Sequence, residues 1–176
     1  WVALPLASHG VVAKKDGTVE KVVLGEDPMD PVLGISDILP HLGKDQAVKP
    51  MGEAFTGEDL NVCVGSIPEK EADSEAVKKH VLALLKEKYG MEEEDFLSSE
   101  LEIVPAGAAR DYGLDRSMIL GYGHDDRICA YTSFMAMMDC PEADRTLVTV
   151  LTDKEEIGSV GATGMHSRFF ENVMAE

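Results

Sequence analysis

The stretch TLVTVLTDKEEIGS, Thr146 to Ser159, sets an apolar run directly ahead of two adjacent glutamates, Glu155 and Glu156. Thr146 to Leu151 is β-branched and aliphatic without polar alternation, the pattern of a strand covered on both faces. Two carboxylates at the end of such a strand lie close together. Repulsion and desolvation oppose keeping both ionised unless a positive charge sits beside them.

Outward from this stretch, the second half of the chain is written in an α/β grammar. Upstream, GYGHDDR (Gly121 to Arg127) precedes a predicted helix over Ile128 to Met138 and a turn at Cys140-Pro141. Downstream, the glycine-rich turn GSVGATG (Gly158 to Gly164) leads to a helix over Ser167 to Met174. Strand, loop and helix alternating in this way predict a sheet whose loops carry chemistry at the carboxyl ends of its strands.

The first half, to about Met118, reads as short strands separated by turns. Gly10 to Ala13 and Val19 to Leu24 flank Asp16-Gly17, which suits a hairpin turn. Gly25 to Pro50 carries four prolines and predicts a surface connection with one helical piece near Ile35 to Leu42. Asn61 to Ile67 and Leu101 to Val104 read as strands. Between them Ser74 starts a helix, with Val77, Val81, Leu84 and Leu85 on one face, Tyr89 extending it and Gly90 as its stop. The acidic run from Met91 to Leu97 reads as a solvated helix face or a helix start. No internal repeat or low-complexity segment is present.

With 176 residues, 44% of them hydrophobic, the chain can bury one good core or two small ones. A formal charge of −17 speaks against nucleic acid and against an anionic membrane surface, and favours solubility. Cys63, Cys129 and Cys140 are odd in number and lack CxxC spacing; they read as reduced, cytosol-type thiols serving as small core residues. No apolar run approaches the roughly 20 residues of a membrane span. WVALPLA lacks the basic start of a signal peptide, and an opening on Trp1 fits a processed product or an excised segment.

Three carboxyl groups stand out: Asp126 in GHDDR, with Glu155 and Glu156 in DKEEIGS. Oxygen-rich clusters suit hard or borderline divalent metals, and with imidazole they suit zinc. A pair of ions about 3.5–4 Å apart needs a bridging carboxylate and a free base to activate bound water. Adjacent glutamates divide that labour, one binding metal and the other moving a proton. An alternative reading makes the glutamates a helix N-terminus or a surface ion pair with Lys154 or Arg127. In the same way Asp125 and Asp126 are candidates to cap the helix that follows.

GYGHDDRICAYTSFMAM followed by LTDKEEIGSVGATGMHSRFFE resembles the core of the aspartyl aminopeptidase and aminopeptidase I family, dinuclear zinc exopeptidases that remove single N-terminal residues. DPVLGISDILPHL resembles the family's pattern upstream of these motifs. The resemblance implies an α/β (α+β) fold. Residues 1–118 would form an inserted lid and dimerisation domain of short strands and helices, and residues 119–176 part of a zinc-exopeptidase-like catalytic domain. It makes Asp126 the carboxylate bridging two metals, Glu155 the general base and Glu156 a terminal metal ligand. His41 matches a histidine that reaches into a neighbouring subunit and helps hold substrate, or else is a structural loop histidine. Asp125 and His124 match no ligand position, and His166, beside Ser167 at a helix start, reads as structural.

The resemblance further implies two zinc ions per complete site, with cobalt or manganese fitting the same donors. It implies a peptide substrate, a homo-oligomer (a dimer or an assembly of dimers) and a cytoplasmic location. The wording of GYGHDDRICAYTS leans towards a broad or neutral preference for the N-terminal residue. A complete family member also has a histidine and an aspartate ligand upstream, and an aspartate and a histidine downstream. These have no counterpart here, so this polypeptide alone is expected to be inactive and to bind zinc weakly.

Overall fold

The computed structural model describes residues 3–176; Trp1, read above as the mark of a processed or excised chain, lies outside the described residues. The chain divides into two compact units, the first ending at Leu120 and the second running from Gly121 to Glu176. Helix and strand are mixed, as expected.

The first unit is built on a three-stranded antiparallel sheet in the order β2-β1-β5, with β1 Leu6–Ala13, β2 Val19–Leu24 and β5 Ser99–Pro105. The hairpin turn falls where Asp16-Gly17 predicts it. Lys14 N–H donates to Thr18 C=O at 2.8 Å, and the Asp16 carboxylate accepts from the amide and hydroxyl of Thr18 at 2.9 and 2.7 Å. β1 starts at Leu6 rather than Gly10, because Leu6 and Ala7 are buried and pair with Pro105 and Val104 of β5. The turn residues mark the end of a strand far better than its polar-interrupted start.

Helix α3, Ala76–Tyr89, meets this sheet through its C-terminal end, where Leu85 and Tyr89 pack with Val12, Val22 and Leu101. Val77, Val81, Leu85 and Tyr89 recur every fourth residue, and Gly90 ends the helix at φ +63° with its N–H on Lys86 C=O. Leu84 falls off that stripe and is 51% exposed, so the inward face runs through Leu85. Val12, Val22, Tyr89 and Met91 form the core, with Leu85 and Leu101 packed against it. Two polar ties hold the helix end to the hairpin. Tyr89 Oη donates to Val23 C=O at 2.7 Å, and Lys14 Nζ donates to Tyr89 C=O at 2.6 Å. The acidic run becomes a 3₁₀ helix, Glu93–Ser98. It is not wholly solvated: Asp95 is buried and accepts from Glu92 N–H at 2.8 Å, capping the turn.

The connection from residue 25 to 62 holds β3 Gly34–Ile35, paired with β4 Val62–Cys63, and two single-turn helices, α1 Lys44–Ala47 and α2 Met51–Ala54. The predicted helix at Ile35 to Leu42 is instead a turn in which Leu42 and Gly43 N–H both reach Leu39 C=O. The predicted strand from Asn61 to Ile67 shortens to β4. A small hairpin, β6 Arg110–Tyr112 with β7 Met118–Leu120, carries too little alternation to be foreseen. A groove of about 800 Å³ lies between α3 and the 3₁₀ helix, lined by Val64, Val77, Val81, Leu85, Phe96 and Leu97; it holds none of the predicted site residues.

In the second unit, α4 His124–Met138 and α5 Arg168–Ala175 match the predicted helices closely. Thr146 to Leu151 does not form the predicted strand. It is largely exposed, with Val148 at 63% and Leu151 at 55%. A covered strand needs hydrogen-bonding neighbours, and among the described residues none pairs with this segment. The cysteines correct the sequence reading in the same way: Cys63, Cys129 and Cys140 are free but exposed, not core residues.

Candidate active site

Asp126 stands at the entry to α4. Asp125 and Asp126 have non-helical backbone angles within that segment (φ −85°, ψ 113° and φ −120°, ψ 41°), so the regular helix begins at Arg127. Neither aspartate caps the helix by a side-chain hydrogen bond, and Asp126 is exposed. Arg127 folds back to donate to Tyr122 C=O at 3.4 Å.

Glu155 and Glu156 sit in the turn Glu155–Gly158, closed by Gly158 N–H on Glu155 C=O at 3.0 Å. That turn lies inside a larger loop whose ends meet at the bridge between Asp153 and Gly164. Ser159 N–H reaches Lys154 C=O at 2.7 Å, and His166 N–H reaches Ser159 C=O at 3.1 Å. Glycine is required at position 164, where a Cβ would overlap the backbone oxygens of Ser159 and Val160. The loop is thus closed by its own backbone.

The alternatives raised by the sequence fall away here. The glutamates do not start a helix, and among the described residues neither forms an ion pair with Lys154 or Arg127. Both are exposed. As donors, three exposed carboxylates suit a divalent cation. As a set they are incomplete: among the described residues no three His, Cys, Asp or Glu side chains gather to hold a metal. His41 lies in the exposed turn before α1, within the first unit. Sequence reasoning missed Asp153, Thr163 and Gly164, which close the loop; the density of glycine after the acidic pair was the available signal.

Residues 1–176 match the family described as Aminopeptidase I zinc metalloprotease (M18). The chain belongs to the M18 aminopeptidase family. It is 59% identical to the probable M18 family aminopeptidase 1 of Clostridium acetobutylicum, covering all of this chain and 38% of that protein. The vacuolar aminopeptidase 1 of Saccharomyces cerevisiae is 26% identical, over 99% of this chain and 37% of its own length. Among solved structures, aminopeptidase I from Clostridium acetobutylicum superposes with a TM-score of 0.79 at 58% identity, covering 99% of this chain and 39% of the other. The M18 aminopeptidase from Thermotoga maritima gives a TM-score of 0.77 at 43% identity, over 99% and 38%. This M18 chain therefore spans less than two fifths of the relatives it matches.

Proposed function

We propose that the complete protein is a metal-dependent aminopeptidase that releases N-terminal residues from peptides, and that this chain supplies Asp126, Glu155 and Glu156 to its centre. The match to the zinc metalloprotease family over residues 1–176 carries the reading. It is supported by three exposed carboxylates left without a protein partner among the described residues. In this reading Asp126 and Glu156 would hold the metal, and the rest of the protein would supply the remaining donors. Bound zinc, or cobalt or manganese on the same donors, supplies the Lewis acidity that makes water nucleophilic near neutral pH. Glu155 accepts the proton of the attacking water on its carboxylate and returns it to the departing amine nitrogen.

Residues 1–118, close to the extent of the first unit, then serve as lid and dimerisation domain, residues 119–176 as part of the catalytic domain, and His41 holds substrate across a subunit boundary in a homo-oligomer. The free, exposed cysteines support a reducing, cytoplasmic setting. Among the described residues no helix is long and apolar enough to cross a membrane. A broad or neutral preference for the N-terminal residue remains part of the proposal.

Glu155→Gln in the complete protein tests the reading. The expected result is a fall in kcat of about 100-fold or more with bound metal retained, the scale of a lost general base. Full activity in that variant overturns it.

A further inference from the structure

We propose that Thr163 is a positioning residue for the acidic pair, its hydroxyl clasping the two residues that immediately precede Glu155. The proposal rests on the roles given above to Glu155 and Glu156. A threonine hydroxyl has one proton to donate and lone pairs to accept, and here both capacities are used. Thr163 Oγ1 donates to Asp153 Oδ2 at 3.1 Å and accepts from Lys154 Nζ at 3.2 Å. Lys154 Nζ also stands 3.5 Å from Asp153 Oδ2, which closes a triangle of three side chains. The backbone repeats the tie, since Thr163 C=O accepts from Asp153 N–H at 3.3 Å.

The clasp secures a conformation the backbone does not favour by itself. Lys154 and Ser159 both adopt left-handed angles, φ +64° and +58°, on either side of the turn that carries the glutamates. Non-glycine residues stay in that region only where their surroundings over-determine it. Lys154 is held through its side chain, 11% exposed and bonded to Thr163, and by Ser159 N–H on its carbonyl. Glu155 follows it directly, so the direction in which that carboxylate leaves the backbone depends on Lys154 keeping its angles. The chemistry asked of Glu155 is a proton transfer, which is sensitive to placement: a shift of about 1 Å costs on the order of 100-fold in rate.

Thr163→Val removes the hydroxyl and keeps the shape; Thr163→Ser keeps the hydroxyl and loses a methyl group. The complete protein carrying each, beside Glu155→Gln, is compared for kcat, KM and zinc bound per chain. Thr163→Val is expected to lower kcat roughly tenfold or more while KM and zinc content stay within about twofold, and Thr163→Ser to restore most of the rate. If Thr163→Val does not fold, Asp153→Asn replaces it, with the same split expected. An undiminished kcat in Thr163→Val beside an inactive Glu155→Gln overturns the clasp and leaves the acidic-pair reading standing. Equal losses in the Val and Ser variants overturn it as well, because they report side-chain shape and not the hydroxyl. An active Glu155→Gln enzyme overturns the underlying reading itself.

Discussion

Gly10 sits in the middle of β1 with φ +151°, and a Cβ placed there would overlap the carbonyl group of Glu100 on β5. The absence of a side chain lets the two strands approach closely enough to pair Gly10 with Leu101. Gly10→Ala is expected to destabilise the first unit by about 3 kcal/mol, combining an unfavourable backbone angle with a backbone clash. Gly17→Ala is the control: its φ is +86°, but open space surrounds it, so only the backbone preference of about 1 kcal/mol is lost. Urea midpoints of the two variants against the parent check the difference. At this scale the turn was legible because Asp16-Gly17 carries its own geometry. Gly10 was not, since its requirement comes from a strand some ninety residues further on. Asp126, Glu155 and Glu156 enter the proposal from residue type and motif alone, whereas Thr163 became visible only when the loop closed and brought it to Asp153.

At the scale of elements, α3 is anchored by the ties its last turn makes. Lys88 Nζ pairs with Asp30 Oδ1 at 3.0 Å, and the other oxygen of Asp30 accepts from Gly25 N–H at 3.3 Å. The hydrogen bond from Lys88, then that from Gly25, lowers the pKa of Asp30 below its ordinary value. Asp30 in turn raises that of Lys88. Since Asp30 holds its proton less tightly folded than unfolded, its contribution is complete above the unfolded value near pH 4. It is lost as pH falls through the lower folded value. The Lys88 contribution is complete below its unfolded value near pH 10.4 and is lost as pH rises through the higher folded one. Asp30→Asn is therefore expected to lower the melting temperature at neutral pH and to reduce the further drop between pH 7 and about pH 3, which thermal melts across that range check. Elements that contain their own pattern were legible in the sequence: the α3 stripe, the Gly90 stop and the helices of the second unit. The strand at Thr146 to Leu151 was not realised, because a strand is completed by neighbours and not by its own residues.

At the scale of the whole molecule, the chain matches its relatives from end to end yet spans about 38% of the length of the Clostridium acetobutylicum protein. Among the described residues, the apolar segment at residues 146–151 has no strand partner, and no three His, Cys, Asp or Glu side chains gather to hold a metal. Catalytic zinc ordinarily takes three protein ligands. On the proposed division of ligands, calorimetric titration of this stretch alone is expected to show no tight zinc site and titration of the complete protein two; two tight sites in the stretch would contradict it. The sequence by itself determined the family, the hairpin turn, α3 and the helices of the second unit, because each is encoded in a contiguous run whose chemistry acts locally. Tertiary structure alone decided which strands pair, which glycines are indispensable, how the loop of the acidic pair is closed and which apolar residues are covered. Those outcomes depend on distant residues meeting in space, and hydrogen bonds and burial are properties of the pair that meets, not of either partner alone.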